Sequence, residues 1–140
     1  RRLVTGGADH QVRIWRYDKQ TSAWADQHHF LSDGHGDWVR DVAWRPNAGI
    51  PANLIASCAE DGTVVIWRQA AIGQPWCQQE KWVLDASAWQ VSWSVTGSIL
   101  AVSTSSNQVL LYKELLNGSW ERAEGLTELG DLGGAHAGKL

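Results

Sequence analysis

Cysteine is scarce in this chain, and the two present, Cys58 and Cys77, stand at no spacing that holds a metal or forms a redox motif. That scarcity fits a reducing, intracellular setting. Basic residues are outnumbered, 12 Lys and Arg against 15 Asp and Glu, for a formal charge of −3. A nucleic-acid binder gathers a positive face to meet phosphates, so direct nucleic-acid binding is not expected. No run approaches the roughly 18 consecutive apolar residues of a membrane helix, and no basic amphipathic helix is present, so direct membrane attachment is not expected either. Nowhere do apolar residues keep a 3.6-residue period over ten positions, which leaves strands as the building element. The chain opens on Arg1 and runs at once into the strand-like Leu3-Val4-Thr5. Its natural start, with any targeting signal, is therefore expected upstream.

Tryptophan is what the chain has in excess: ten in 140 residues, within a hydrophobic content of 44%. This length allows one soluble, globular domain at most. Each indole buries about 150–250 Å², so the fold must spend these residues on packing or recognition. Their spacing exposes a repeat. Asp9-His10-Gln11-Val12-Arg13-Ile14-Trp15 recurs as Asp61-Gly62-Thr63-Val64-Val65-Ile66-Trp67, and in weaker form as Ser106-Asn107-Gln108-Val109-Leu110-Leu111-Tyr112. Trp15 to Trp67 is 52 residues and Trp67 to Tyr112 is 45. These periods bracket the roughly 40–45 residues of a four-stranded propeller blade, and loops of different length absorb the difference.

The fold class is therefore all-β, a propeller fragment of about three blades. Residues 1–33 form a partial blade with strands at Leu3–Gly6, Val12–Trp15 and Trp24–Phe30, its inner strand lying upstream. Residues 34–84 form a complete blade, with strands at Trp38–Trp44, Leu54–Cys58, Val64–Trp67 and Trp76–Trp82. Residues 85–125 form the last blade, with strands near Trp89–Trp93, Ile99–Ser103 and Val109–Tyr112 and a short one from Trp120. Pro46, Pro51 and Pro75 fall between strands, where a missing N–H does no harm. Residues 126–140 are Gly-rich and aperiodic, and a disordered tail is expected.

The complete blade carries a polar constellation: His35 after Gly34, Ser57 within a strand, and Asp61 opening the turn before Trp67. Ser, His and Asp together raise a hydrolase reading. Against it, Ser57 lies inside a strand and no Gly-x-Ser-x-Gly elbow surrounds it. The alternative is a buried network in which the Asp61 carboxylate orients His35, and His35 reaches the Ser57 hydroxyl and the Trp67 indole. Such bonds contribute about 1 kcal/mol each, and more is lost if one partner is left unsatisfied.

In Gly34-His35, Ser57, Asp61 and Trp67 the chain resembles the structural tetrad of the WD-repeat β-propeller family. The first repeat matches at Thr5, Asp9 and Trp15. The third departs, with Leu84 near the expected His, Ser106 for Asp and Tyr112 for Trp. The run Trp38-Val39-Arg40-Asp41-Val42-Ala43-Trp44 and a Trp after each third strand (Trp24, Trp76, Trp120) narrow the likeness. Over nearly all of residues 1–125 the chain is similar to the small WD-repeat subunits shared by the COPII outer coat and the Y-shaped nuclear pore subcomplex. That resemblance implies a six-bladed propeller that does not close, completed by a blade that a partner donates beside the first and last blades. Its implied partners are the large COPII outer-coat subunit and a scaffold nucleoporin. Its implied places are the cytoplasmic side of the ER membrane and COPII vesicles, and the nuclear pore complex at the nuclear envelope. No catalytic residue, cofactor, metal or small-molecule ligand follows from it, and membranes are met only through the coat. Candidate contacts with the donated blade are Leu100, Val102, Leu110 and Tyr112, on strands that flank the gap, while strand alternation alone leaves open which face meets the partner. The competing reading is an adaptor with a closed propeller that presents its top face to peptides.

Smaller motifs have plain explanations. Gly133 to Leu140 nearly spells a phosphate-binding loop, but Leu140 stands where Ser or Thr should hold Mg²⁺, and no strand–helix frame surrounds it. Asn117-Gly118-Ser119 fits a glycosylation pattern short enough to arise by chance. His28 and His29 are adjacent in a strand and point to opposite faces, so they cannot chelate together. The regular placement of Trp24, Trp76 and Trp120 favours packing over an exposed binding stripe.

Overall fold

The structure, a computed structural model, describes residues 1–31, 34–47 and 49–123. Eleven strands form three antiparallel sheets. The first is β1 (Arg2–Gly6), β2 (Val12–Asp18) and β3 (Ala23–Leu31). The second runs in chain order through β4 (Val39–Trp44), β5 (Asn53–Ala59), β6 (Thr63–Gln69) and β7 (Trp76–Val83). The third does the same through β8 (Ala88–Trp93), β9 (Ile99–Thr104), β10 (Val109–Glu114) and β11 (Trp120–Arg122). These are blades of a propeller fragment, with strands where the alternating pattern and turn residues place them. The Gly-rich stretch from 126, with its phosphate-loop-like end, lies outside the described residues, as do the side chains of His28 and His29.

Burial explains the sequence of each sheet. β5 is buried at every position after Asn53, because the second sheet is covered on both faces. One face (Val39, Ile55, Val65, Trp67) packs on Val12 and Ile14 of the first sheet. The other (Leu54, Ala56, Cys58, Val64, Ile66) packs on Leu100, Val102, Leu110 and Tyr112 of the third. A strand buried on both faces must read as a continuous apolar run, and Leu54 to Ala59 does so with Ser57 as its one polar member. In β9 burial instead alternates, with Leu100, Val102 and Thr104 buried and Ile99 exposed.

Polar ties fix the second sheet against the third. The inner strands β4 and β8 each carry a bulge at the same place, between Val39 and Asp41 and between Ala88 and Gln90. The first bulge accompanies an Asp41 carboxylate aimed across the interface, which accepts the Val91 N–H at 3.0 Å and its neighbour Val42 N–H at 2.9 Å. Trp93 Nε1 donates to the Ala43 carbonyl at 3.0 Å. Arg45, buried, pairs with Glu114 at 2.9 Å. Trp82 stacks on Tyr112 with ring centroids 3.9 Å apart. Trp76 meets Trp44 edge-on and Trp120 meets Trp93 likewise, so those two outer-strand indoles serve packing, whereas Trp24 stays half exposed against Tyr17.

One turn requires glycine. Gly62 has φ +80°, and a Cβ there would lie 2.7 Å from the Leu84 carbonyl oxygen. Backbone strain and a backbone clash combine, so Gly62→Ala is expected to destabilise the full-length protein by about 2 kcal/mol in urea unfolding.

Candidate functional site

The β5–β6 hairpin and the loop before β4 bring His35, Ser57, Asp61 and Trp67 together. Trp67 Nε1 donates to Ser57 Oγ at 2.8 Å, and Ser57 Oγ lies 2.6 Å from His35 Nε2. On the other side of the ring, His35 Nδ1 lies 2.6 Å from Thr63 Oγ1. The Thr63 hydroxyl donates to Asp61 Oδ1 at 2.5 Å. The backbone N–H groups of Thr63 and Gly36 complete the carboxylate shell at 3.0 and 2.7 Å. The donors line up in one direction only: indole to Ser57, Ser57 hydroxyl to Nε2, Nδ1–H to Thr63, and Thr63 hydroxyl to the carboxylate. A neutral imidazole with its proton on Nδ1 satisfies every partner. Ahead of this network Gly34 gives the Trp67 ring room, since a Cβ there would collide with the indole.

Two details differ from the expectation. Asp61 orients His35 through the Thr63 hydroxyl, and the indole proton goes to Ser57 rather than to His35. Thr63 was legible only as the Asp-Gly-Thr spacing, which the other two repeats replace with Gln11 and Gln108.

Electrostatics fit the neutral ring. Burial pulls the His35 pKa from 6.5 down to about 4, against the opposing pull of Asp61 and with help from Lys81. Burial raises the Asp61 carboxyl, but the hydrogen bonds from Thr63 and Gly36 outweigh it and hold the group below its ordinary value. Burial, reinforced by the Asp41 charge, pushes the Cys58 thiol up to about 12, so it stays protonated and inert. Ser57 is fully buried, so no acyl substrate can reach its hydroxyl. Among the described residues no group of three or more His, Cys, Asp or Glu could hold a metal ion.

The first sheet repeats part of the network. Trp15 Nε1 donates to Thr5 Oγ1 at 2.8 Å, while Asp9 pairs with Arg13 at 2.5 Å. In the third sheet strand register places Leu84, Val102, Ser106 and Tyr112 at the four positions. A cavity of about 340 Å³ opens there, lined by Leu84, Thr104, Ser106 and Gln108 among others.

The four residues expected to meet a donated blade are seated elsewhere. Leu100, Val102, Leu110 and Tyr112 are at most 4% exposed and pack on the second sheet. Strand alternation offers two faces, and Tyr112, in register with Trp67, faces the same way as Trp67, toward the preceding sheet. The opposite face of the third sheet, with Ile99, Ala101, Ser103, Val109 and Leu111, is the open one.

Residues 26–68, from the end of the first sheet through most of β6, match the WD domain, G-beta repeat family. The chain is 42% identical over 122 residues to the Drosophila melanogaster protein SEC13 homolog, covering 87% of this chain and 33% of that protein. It is 44% identical over 128 residues to the Phaeosphaeria nodorum protein transport protein SEC13, covering 91% and 41%. It is 40% identical over 121 residues to the Arabidopsis thaliana protein transport protein SEC13 homolog A, covering 86% and 39%. Over 86–91% of its length the chain is similar to SEC13 proteins, and it carries a WD repeat. It spans between a third and about two-fifths of the length of these curated relatives. The network of His35, Ser57, Asp61 and Trp67 lies in the second sheet, which contains most of the matched repeat, and such repeats point to a non-catalytic scaffold.

Proposed function

We propose that this chain is part of a non-catalytic scaffold for protein transport, an open six-bladed propeller whose third sheet here accepts an extra blade from a partner. The partner is the large outer-coat subunit of COPII on the cytoplasmic side of the ER and its vesicles. At the nuclear envelope it is a scaffold nucleoporin of the Y-shaped pore subcomplex. The transport names of the relatives support the setting. The observation that carries the docking is the contrast between β5, buried on both faces, and β9, with the same apolar character buried on one. Strand register makes the correspondence explicit: Leu54, Ala56, Cys58, Val64 and Ile66, which receive the third sheet, stand where that sheet has Ile99, Ala101, Ser103, Val109 and Leu111. An incoming blade that packs on them buries apolar area and covers a sheet face that would otherwise promote aggregation. No reaction is involved, and the tetrad acts only to hold the second blade rigid.

The test is affinity recovery of the full-length protein and its Leu111→Ser variant from cells, with co-purified proteins quantified by mass spectrometry. Losing about one leucine's burial is expected to weaken partner binding about tenfold and cut recovery of the large coat subunit accordingly. Unchanged recovery would mean that the protein's own chain covers this face, and would favour the closed adaptor.

A further inference from the structure

Each four-stranded sheet opens two of its loops at the same end, the β4–β5 and β6–β7 connections in the second sheet and the β8–β9 and β10–β11 connections in the third. Every one of these loops carries an exposed aliphatic side chain: Ile50, Ile72, Val95 and Leu116, the last two at least 92% exposed. Turn chemistry favours Gly, Asn, Asp or Ser at such places, so the shared apolar character is not explained by the turns. The same end carries a repeated cation. Arg16, Arg68 and Lys113 each follow the repeat aromatic of their sheet (Trp15, Trp67 and Tyr112) and each is exposed.

Between the second and third sheets at this end lies a cleft of about 210 Å³, whose lining includes Arg45, Ile50, Arg68, Gln79 and Glu114. Its walls are pinned across the interface, since Arg45 is held by Glu114 at 2.9 Å and Gln79 Nε2 donates to the Gly118 carbonyl at 2.8 Å. With Arg45 and Glu114 neutralising each other, Arg68 is left as the uncompensated charge of the cleft, and it forms no ion pair among the described residues.

We propose that this cleft binds an acidic segment of a partner protein, an extended stretch whose carboxylate pairs with Arg68 while its aliphatic side chains pack against Ile50 and against the exposed Leu116 of the loop whose Asn117 and Gly118 line the cleft. Charge complementarity selects the acid, and an exposed guanidinium favours a planar carboxylate. Concave shape selects a polypeptide over a flat bilayer, which would reach the loop tips without filling the cleft. The site is separate from the blade-accepting face, because it lies at the loop ends of the interface that the second and third sheets already share.

The experiment is fluorescence anisotropy of the full-length protein with a labelled peptide of alternating Glu and Leu. Saturable binding that weakens with added salt is expected. Arg68→Glu should reduce affinity about tenfold and Leu116→Ser about threefold. Both side chains are exposed, so circular dichroism and recovery of the blade-donating partner should stay as in the wild type. No binding, undiminished binding by Arg68→Glu, or equal binding of a Lys and Leu peptide of the same length would overturn the proposal. Binding to anionic phospholipid vesicles without binding to the acidic peptide would also overturn it and give the surface to lipid.

Discussion

Replacing His35 by alanine is expected to lower the stability of the full-length protein by about 4 kcal/mol. The imidazole holds both hydroxyls of the network, Ser57 at Nε2 and Thr63 at Nδ1. Without the ring the Ser57 proton loses its acceptor inside a fully buried strand, and the Thr63 hydroxyl loses a donor. Each stranded group costs about 1–3 kcal/mol, and the emptied space adds a cavity term. Urea unfolding at neutral pH measures the sum. The network also predicts how the loss combines. Ser57→Ala strands the Trp67 indole and His35 Nε2, so the double variant should cost clearly less than the two single losses added, because each breaks the same chain of bonds. Additive losses would mean that the residues act independently and that the one-directional network is wrong.

The strand order and register were legible in the sequence because two periods reinforce each other, the alternation within strands and the Asp-to-aromatic repeat between blades. Asp61 to Trp67, read beside Asp9 to Trp15, was enough to align two sheets. Four of the network's five side chains could be named from type and spacing, but Thr63 and the wiring could not. A direct bond from Asp61 to His35 and one relayed through Thr63 fit the same sequence, and only geometry separates them. The sequence left the face of the third sheet open for a different reason. Alternation is symmetric, so Leu100, Val102, Leu110 and Tyr112 read equally well inward or outward. The asymmetry lay in the aromatic: Trp67 is on the face toward the preceding sheet, and Tyr112, its counterpart in the repeat, fixes the same orientation for its neighbours on that face. The cleft at the loop ends left no signal of spacing, because Ile50, Arg68 and Asn117 are distant in sequence and line one cleft only once the two sheets dock.

Acid should weaken the fold through His35 alone before the carboxylates titrate. The ring is held neutral in the folded state, with its pKa lowered from 6.5 to about 4, chiefly by burial. Between those values the unfolded chain binds a proton that the folded chain does not, so stability rises with pH across the window. The contribution is complete above pH 6.5 and is lost as pH falls toward 4, where it amounts to about 3 kcal/mol. The hydrogen bonds give the same sign. A doubly protonated ring would turn Nε2 into a donor toward Ser57, whose oxygen already receives the Trp67 indole, and the Ser57 proton would have to leave its acceptor. Urea unfolding from pH 7.5 down to 4.5 should therefore show a steady decline in the wild type and a flatter profile in His35→Ala. The gap between the two proteins, about 4 kcal/mol at neutral pH, should narrow to about 1–2 kcal/mol at the acid end. A gap that stays constant with pH would show that His35 titrates normally, and would place its proton in a network other than the one its neighbours define.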